Sequence, residues 1–411
     1  MPNQILTASV IAKEALVMLE NQLGVLGTLY RAHEDEFSST VNGYKKGATV
    51  TVRRPADFTL RTGAVLTPQD AIEGSVPLTV DQQVGVDFRF SSTDLTLSIN
   101  QLSERFIKPA MSTIVNGIVA DCFAQFYPAV YNWVGTPGTL VNSFASFNRA
   151  PERLNEMATP MDDRFGALSP SDHSALAGNL TTTFIAGDNK EAYRKGALPP
   201  IGGVDINMTQ VVPTHTNGAA AGTPIVQGAG QSTSYENVRN TWSQTLNTQG
   251  WTASSSITAG TVFTIANVFM VNPKTKQSTG ILQQFVVRSA TTSNATTTSN
   301  TPLTISPAII TTGPHQTVNA APAANAAITV VGAANGAWRQ NLVYHKNAFG
   351  LAVVPMELPP GAYGASRESY KGLSVRVIPV YDGTNDFQAW RLDLLYGRTC
   401  LDPRLATRLS G

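Results

Sequence analysis

Charge is scarce in this 411-residue chain: Asp, Glu, Lys and Arg make up 14% of it, where about 25% is usual. The 29 basic and 28 acidic residues leave a net charge of +1. No basic tail or stripe is present, which argues against a sequence-specific nucleic-acid binder. Such a surface is expected where much of it meets other subunits, or where Ser, Thr, Asn and Gln solvate a β-rich protein. Cysteine is nearly absent too. Cys122 and Cys400 stand far apart in no metal-ligand spacing, which argues against a disulfide scaffold or zinc site and fits a reducing compartment. No apolar run approaches the ~20 residues of a membrane span. Lys13, Glu14 and Glu20 interrupt the apolar residues near the start, so no signal-peptide core forms. The expectation is a soluble protein made in the cytoplasm, with no membrane partner.

Catalytic signatures are missing as well. The chain has no G-x-x-x-x-G-K-[ST], H-E-x-x-H, G-x-S-x-G or C-x-x-C. Gly228-Ala229-Gly230 lies in a Thr/Ser-rich loop and opens no helix, so it is a poor phosphate cradle. The histidines (His33, His173, His215, His315, His345) are scattered. The run His33-Glu34-Asp35-Glu36 reads as a solvated connector, since contiguous ligands cannot converge on one ion without a special turn. Without a signal peptide, the Asn179, Asn207 and Asn294 sequons read as chance matches. No residue is assigned as catalytic, cofactor-binding or metal-binding, and no cofactor is expected.

Periodic signals are present in quantity. Residues 7–23 read as an amphipathic helix, with Thr7 as N-cap and Val10, Leu16, Leu19 and Leu23 on one side. Residues 47–92 read as two long strands around a loop bearing Pro55, Gly63, Pro68 and Gly74. Ala48, Val50 and Val52 alternate in the first strand. Val76 to Phe90 keep the period of two in the second, broken only by Gln82. Over 99–127, Leu102, Phe106, Ile114, Ile118, Cys122 and Phe126 form a helical stripe. Pro109 should kink this helix or begin a second one. Cys122 on that stripe reads as a small buried hydrophobe.

From 143 to 212 helix and strand alternate: a helix near Ser146–Met157, a strand Arg164–Leu168, and a helix capped by Ser169-Pro170. A helix near Asn189–Lys195 and a strand Val204–Val212 follow. Composition changes at Pro213. Residues 213–331 are dense in Thr, Ser, Ala, Asn and Gly, with strand signals at Val262–Val271, Leu282–Arg288, Leu303–Ile305 and Ile328–Val331. This stretch reads as an all-β module. After 336 α+β character returns, with a buried strand Gly350–Met356 and a hairpin of Leu373–Tyr381 and Phe387–Tyr396 turning at Asp382–Asp386. An all-β block between two α+β blocks is the pattern of an inserted domain.

Three stretches carry a resemblance: Gly260-Thr-Val-Phe-Thr-Ile-Ala-Asn-Val-Phe-Met-Val-Asn-Pro-Lys-Thr running on to Gly280-Ile-Leu-Gln-Gln-Phe-Val-Val, Thr304-Ile-Ser-Pro-Ala-Ile-Ile310, and Glu191-Ala-Tyr-Arg-Lys-Gly196. Together with the element order, they resemble coat proteins of short-tailed Salmonella-type phages. The resemblance spans most of the chain and is strongest over 188–310. It implies an α+β, Hong Kong 97-like phage capsid fold with an inserted, barrel-like all-β domain. In those terms 1–46 is an N-terminal arm, 47–95 an extended hairpin loop, and 96–145 the spine helix and peripheral domain. Residues 146–212 and 332–372 are the axial domain, 213–331 the insertion, and 373–411 strands returning to the peripheral domain. In relatives, charged loops of the insertion help bridge neighbouring capsomers; here the insertion offers few charges (Lys274, Lys276, Arg288, Glu236, Arg239).

The implied function is that of a major capsid protein, not an enzyme. It would self-assemble into the pentamers and hexamers of an icosahedral phage head enclosing double-stranded DNA. The partners implied are further copies of itself, a scaffolding protein, a portal and non-specifically held DNA. The location implied is the virion capsid, assembled in the bacterial host cytoplasm. A near-neutral wall suits DNA that must be released. The alternative is a β-rich phage fibre or carbohydrate-binding module with 213–331 as its working end.

Overall fold

A computed structural model of the chain describes residues 8–22, 24–38, 40–41, 44–45, 47–66, 68–91, 103–182, 198–362, 364–370 and 373–410. Thr7, Leu23, Leu102, the helix expected at Asn189–Lys195 and the Glu191–Gly196 stretch fall outside them. The chain forms two compact units: one of 1–51, 77–122 and 349–399, the other of 52–76, 123–348 and 400–411.

In the first unit a sheet runs in the order Ser366–Tyr370, Leu373–Asp382, Phe387–Cys400, Ser75–Ser91, Thr49–Arg53, and Phe349–Val354 also pairs with Phe387–Cys400. Of the two long strands expected over 47–92, only the second is long: the first has five residues and the other seventeen. Gly85 lies opposite Asp393, and a Cβ there would stand 2.3 Å from the Leu392 carbonyl oxygen. This close approach requires glycine. Asp393 itself is buried and accepts from Arg376 Nη2 at 2.7 Å and Arg391 Nε at 2.9 Å.

The Ala8–Gln22 helix packs on the Ser366–Tyr370 and Leu373–Asp382 strands. Its buried face is Ile11, Ala12, Ala15, Leu16 and Leu19, whereas Val10, expected on that face, is exposed. The 33–36 run is likewise not a solvated connector. It enters a short helix, Glu34–Ser38, in which Glu34 is buried, pairs with Arg31 Nε at 2.8 Å and accepts from the Val353 amide.

A π-helical turn, Ser103–Ile107, runs directly into the Lys108–Phe126 helix. Pro109 is the second residue of that helix, at the start of its first turn, where proline is tolerated. Proline lacks the amide and crowds the carbonyl four residues back, and a widened turn relieves both. Ile114, Ile118, Cys122 and Phe126 are buried along the expected stripe. Burial pushes the Cys122 thiol far up, as befits an inert packing residue.

The second unit holds a five-stranded sheet in the order Trp133–Val134, Ala406–Leu409, Asn341–His345, Arg164–Leu168, Asp205–Met208. Thus Ala406–Leu409 does not accompany the Leu373–Asp382 and Phe387–Cys400 strands, with which it was grouped from sequence. The helix Phe144–Glu156 begins at a capping box between Ser143 and Ser146. It packs Phe147, Ala150 and Leu154 against the sheet residues Leu168 and Val343. The helix Pro170–Thr182 starts at Ser169 as expected. Its Asp172 is buried and accepts from the Val141 amide, Ser169 Oγ and Asn341 Nδ2 at 2.6–2.9 Å.

Thr214–Thr216 and Ala337–Arg339 pair antiparallel, so the chain leaves this sheet and returns to it through one two-stranded neck. Between them six strands run in the order Ile328–Val330, Val262–Val271, Ser278–Val287, Thr301–Ser306, Gln244–Trp251, Gly222–Val226. An Ile225–Ala327 bridge joins the two ends into a closed barrel. Its interior is apolar: Leu246, Trp251, Phe263, Phe285, Leu303 and Ile305 are buried. Phe263 and Phe285 are cross-strand partners whose rings stack at 5.8 Å. Each buried side chain of this size contributes about 1.5–3 kcal/mol. The Gly228-Ala229-Gly230 run lies in a barrel loop, and both glycines adopt positive φ.

Candidate functional site

Residues 54–74 leave the Thr49–Arg53 strand as an arm without regular secondary structure among its described residues. The arm is nonetheless internally tied. The Arg54 amide donates to the Gly74 carbonyl at its base. Midway, the Thr59 amide and Oγ1 donate to Gln69 Oε1 while Gln69 Nε2 donates to the Thr59 carbonyl. Near the tip, Arg61 Nη1 donates to the carbonyls of Gly63 and Val65. Apolar side chains around its tip face outward, with Leu60 89% exposed, Leu66 81% and Val65 79%, whereas Ile72 near its base packs against Tyr235, Val238 and Trp242. Isolated exposed apolar groups are ordinary, but several on one ordered arm mark a contact surface.

At the base of the arm lies a buried knot of charged and aromatic side chains. Asp57 accepts from Arg404 Nη1 at 2.7 Å and Lys274 Nζ at 3.1 Å, and its Oδ2 lies 3.6 Å from His315 Nδ1. Burial alone would raise the Asp57 carboxyl, but Arg404 and Lys274 outweigh it and hold the group below its usual range. Arg404 also pairs with Asp402 at 2.8 Å. Burial opposes its charge, yet the two carboxylates hold it firmly protonated. Arg54 Nε donates to the Leu401 carbonyl.

The aromatic half of the knot supports the charges. Trp242 lies beneath the guanidinium carbons of Arg404, at 5.2 Å, and Arg54, at 5.8 Å. Its φ of +55° is rare for a bulky residue and is held here by contacts on several sides. Tyr235 meets Trp242 edge-on and stacks on His315 with ring centroids 3.5 Å apart. Burial pushes the His315 imidazole down to about 4, with Asp57 opposing and Arg404 adding to the shift. The knot joins the arm base, the barrel segments and the stretch before the Ala406–Leu409 strand.

This arrangement fixes the base of the arm to the rest of its unit. Lys274 and Arg288, two of the few insertion charges, are engaged inside the unit: Lys274 with Asp57, and Arg288 with the Pro128 carbonyl. His173, His215 and His345 are buried at separate places, as is His315 in the knot. Among the described residues, no group of three or more His, Cys, Asp or Glu converges as a metal site, and no helix is long and apolar enough to cross a membrane.

Known proteins resemble the chain as follows. The family model described as "P22 coat protein - gene protein 5" matches residues 40–411. The major capsid protein of Acyrthosiphon pisum secondary endosymbiont phage 1 is 22% identical over 348 residues, covering 81% of this chain and 80% of that protein. A solved structure from Mycobacterium phage Che8 has 10% identity and a TM-score of 0.48, covering 93% of this chain and 89% of that one. The CUS-3 coat protein I-domain is 28% identical with a TM-score of 0.19, covering 26% of this chain and 94% of that one. The family match does not favour a fibre or carbohydrate-binding module. Extending over all but the first 39 residues, it settles the kinship: the chain belongs to the P22 coat protein family, and its work is structural, not catalytic.

Proposed function

We propose that the chain is the major capsid protein of a tailed double-stranded DNA phage, assembling through rings of five and six into an icosahedral head. The observation that carries the reading beyond family membership is the anchored arm. Leu60, Val65 and Leu66 are ordered yet unburied, and a second copy is the partner that self-assembly supplies. Contacts of this kind are individually modest and multiply through repetition in a closed shell.

In this reading the fold is of the Hong Kong 97 type, with 47–95 as the extended loop, 96–145 carrying the spine helix and 213–331 as the insertion. The neck of Thr214–Thr216 against Ala337–Arg339 supports the last assignment. The axial domain, expected as 146–212 and 332–372, takes 146–212 and the part of 332–372 before Phe349, together with the Ala406–Leu409 strand that shares its sheet; Phe349–Val354 and Ser366–Tyr370 go with the first unit's sheet. A scaffolding protein and a portal are the further partners, packaged DNA is held without sequence preference, and assembly takes place in the host cytoplasm. The test is to express the chain with its neighbouring phage genes and view the product by negative stain. Closed shells are expected. A product that stays a monomer or small oligomer under all conditions would overturn the reading.

A further inference from the structure

Arg408 is fully buried, and no carboxylate among the described residues pairs with it. It lies on the Ala406–Leu409 strand, between Trp133–Val134 and Asn341–His345. Its Nε donates to the Val130 carbonyl at 2.8 Å, and its Nη1 donates to the Gly260 carbonyl at 2.7 Å. Gln340 Oε1 lies 3.5 Å from Nη1. The guanidinium carbon sits 5.4 Å from the Tyr127 ring and 5.7 Å from that of Trp133. Burial pushes the group down to about 9, with Tyr127 opposing and Arg288 adding to the shift.

A buried cation without an anion carries a desolvation cost that a methionine of similar volume would avoid. What the guanidinium supplies in return is direction. It donates to carbonyls on separate segments: Val130 on the stretch beside the sheet, and Gly260 where the chain enters a barrel strand. Gly260 has a φ of +92°, and a Cβ there would press on His215 and Tyr127. The contact is thus built for a close backbone approach.

The same seam carries two more polar ties. Gln284 of the barrel takes the Trp133 amide on Oε1 at 2.7 Å and donates Nε2 to its carbonyl at 2.8 Å, standing in for a strand partner. Arg288 donates to the Pro128 carbonyl. Around them Tyr131 and Trp133 pack against Val262, Met270 and Val286. The barrel's own core of Phe263, Phe285, Leu303 and Ile305 is a separate cluster.

We propose that Arg408 is a lock: it holds the barrel onto the five-stranded sheet, and the barrel stays folded when the lock is opened. The inference concerns the single subunit and stands or falls apart from the shell reading. It is tested by hydrogen exchange with mass spectrometry on the full chain, comparing wild type with Arg408→Met and Arg408→Lys. In the methionine variant the Trp133 amide, which bonds Gln284 of the barrel, should exchange on the order of tenfold faster or more, while those of Val262–Val271 and Ser278–Val287 keep wild-type protection. Lysine keeps the charge but not the fork of donors, so it should fall between. Two results would overturn the lock: seam protection unchanged in both variants, or barrel and seam losing protection together. If Arg408→Met does not accumulate as soluble protein, Arg408→Lys is read against the same outcomes. If neither accumulates, the guanidinium is required for folding itself and the proposal fails.

Discussion

Asp57 Oδ2 accepts a hydrogen bond from Arg404 Nη1 at 2.7 Å, across 347 residues of sequence. This bond closes the base of the arm onto a segment made long after it. Asp57→Asn keeps the shape and removes the charge. Arg404 retains Asp402, but Lys274 loses its carboxylate partner. Breaking a buried pair on one side costs about 3–5 kcal/mol. The surviving Asp402 pair places the expected loss near the lower end. Equilibrium urea unfolding should show a lower midpoint with an unchanged slope. A wild-type midpoint would mean that the knot adds nothing to stability.

Acid should weaken the protein through its buried histidines before Asp57 and Asp402 titrate. His215 and His315 are both pushed down to about 4 by burial, from the ordinary 6.5. Between those values the unfolded chain binds protons that the folded chain refuses. Stability is therefore full above about 6.5 and declines as pH falls toward 4. By pH 5 the loss is about 2 kcal/mol per histidine. Asp57 and Asp402 are shifted below their ordinary value, so their contribution persists through this window and is lost only at lower pH. Urea midpoints at pH 7, 6 and 5 should fall progressively. In His315→Gln the decline should be shallower, and an identical slope would remove His315 from the account.

The arm predicts a separation of folding from assembly. Leu60 and Leu66 touch little of their own chain, so Leu60→Ser with Leu66→Ser should change subunit stability by no more than about 0.5 kcal/mol. Under the shell reading the same pair should abolish or strongly reduce particles in sedimentation velocity. Wild-type yields of particles would show that the arm makes no essential contact between copies.

What could be read from the sequence was what repeats locally. The Val262–Val271 strand, the Arg164–Leu168 strand and the Pro170 helix start are where their alternation and capping residues place them. The barrel strands Gly222–Val226 and Gln244–Trp251 carry little strand signal, because the first is short and holds Gly222 and Pro224 while Thr, Gln and Asn occupy most positions of the second. Thr248 is fully buried, donating to the Thr301 carbonyl and accepting from Trp251 Nε1. The knot left no signal at all. Asp57, Trp242, His315 and Arg404 are single residues brought together by long-range topology, and no spacing rule links them. Arg408 is the extreme case, since a basic residue in a short segment reads as surface. Val10 lies on the other face because a shift of one residue, about 100° around the helix, exchanges it for Ile11, an ambiguity that periodicity over four turns does not remove.

The barrel should fold when cut out of the chain. Its six strands close on themselves through the Ile225–Ala327 bridge, and its only covalent connections run through the paired Thr214–Thr216 and Ala337–Arg339 segments. A fragment of residues 213–340 keeps that neck and loses Arg408 and the Trp133 stretch, which the lock places outside the barrel's own stability. It should give dispersed amide signals and a single cooperative melt. Phe285→Ala in the fragment should cost about 3–5 kcal/mol, the loss expected for a buried ring that the core cannot close around. The cut also uncovers Val262, Met270 and Val286, which pack against Tyr131 and Trp133 in the whole chain. The fragment should therefore self-associate weakly at high concentration, and Val286→Thr should relieve this while leaving the melt nearly unchanged. A fragment with collapsed, disorder-like amide signals would show that the five-stranded sheet is needed to form the barrel.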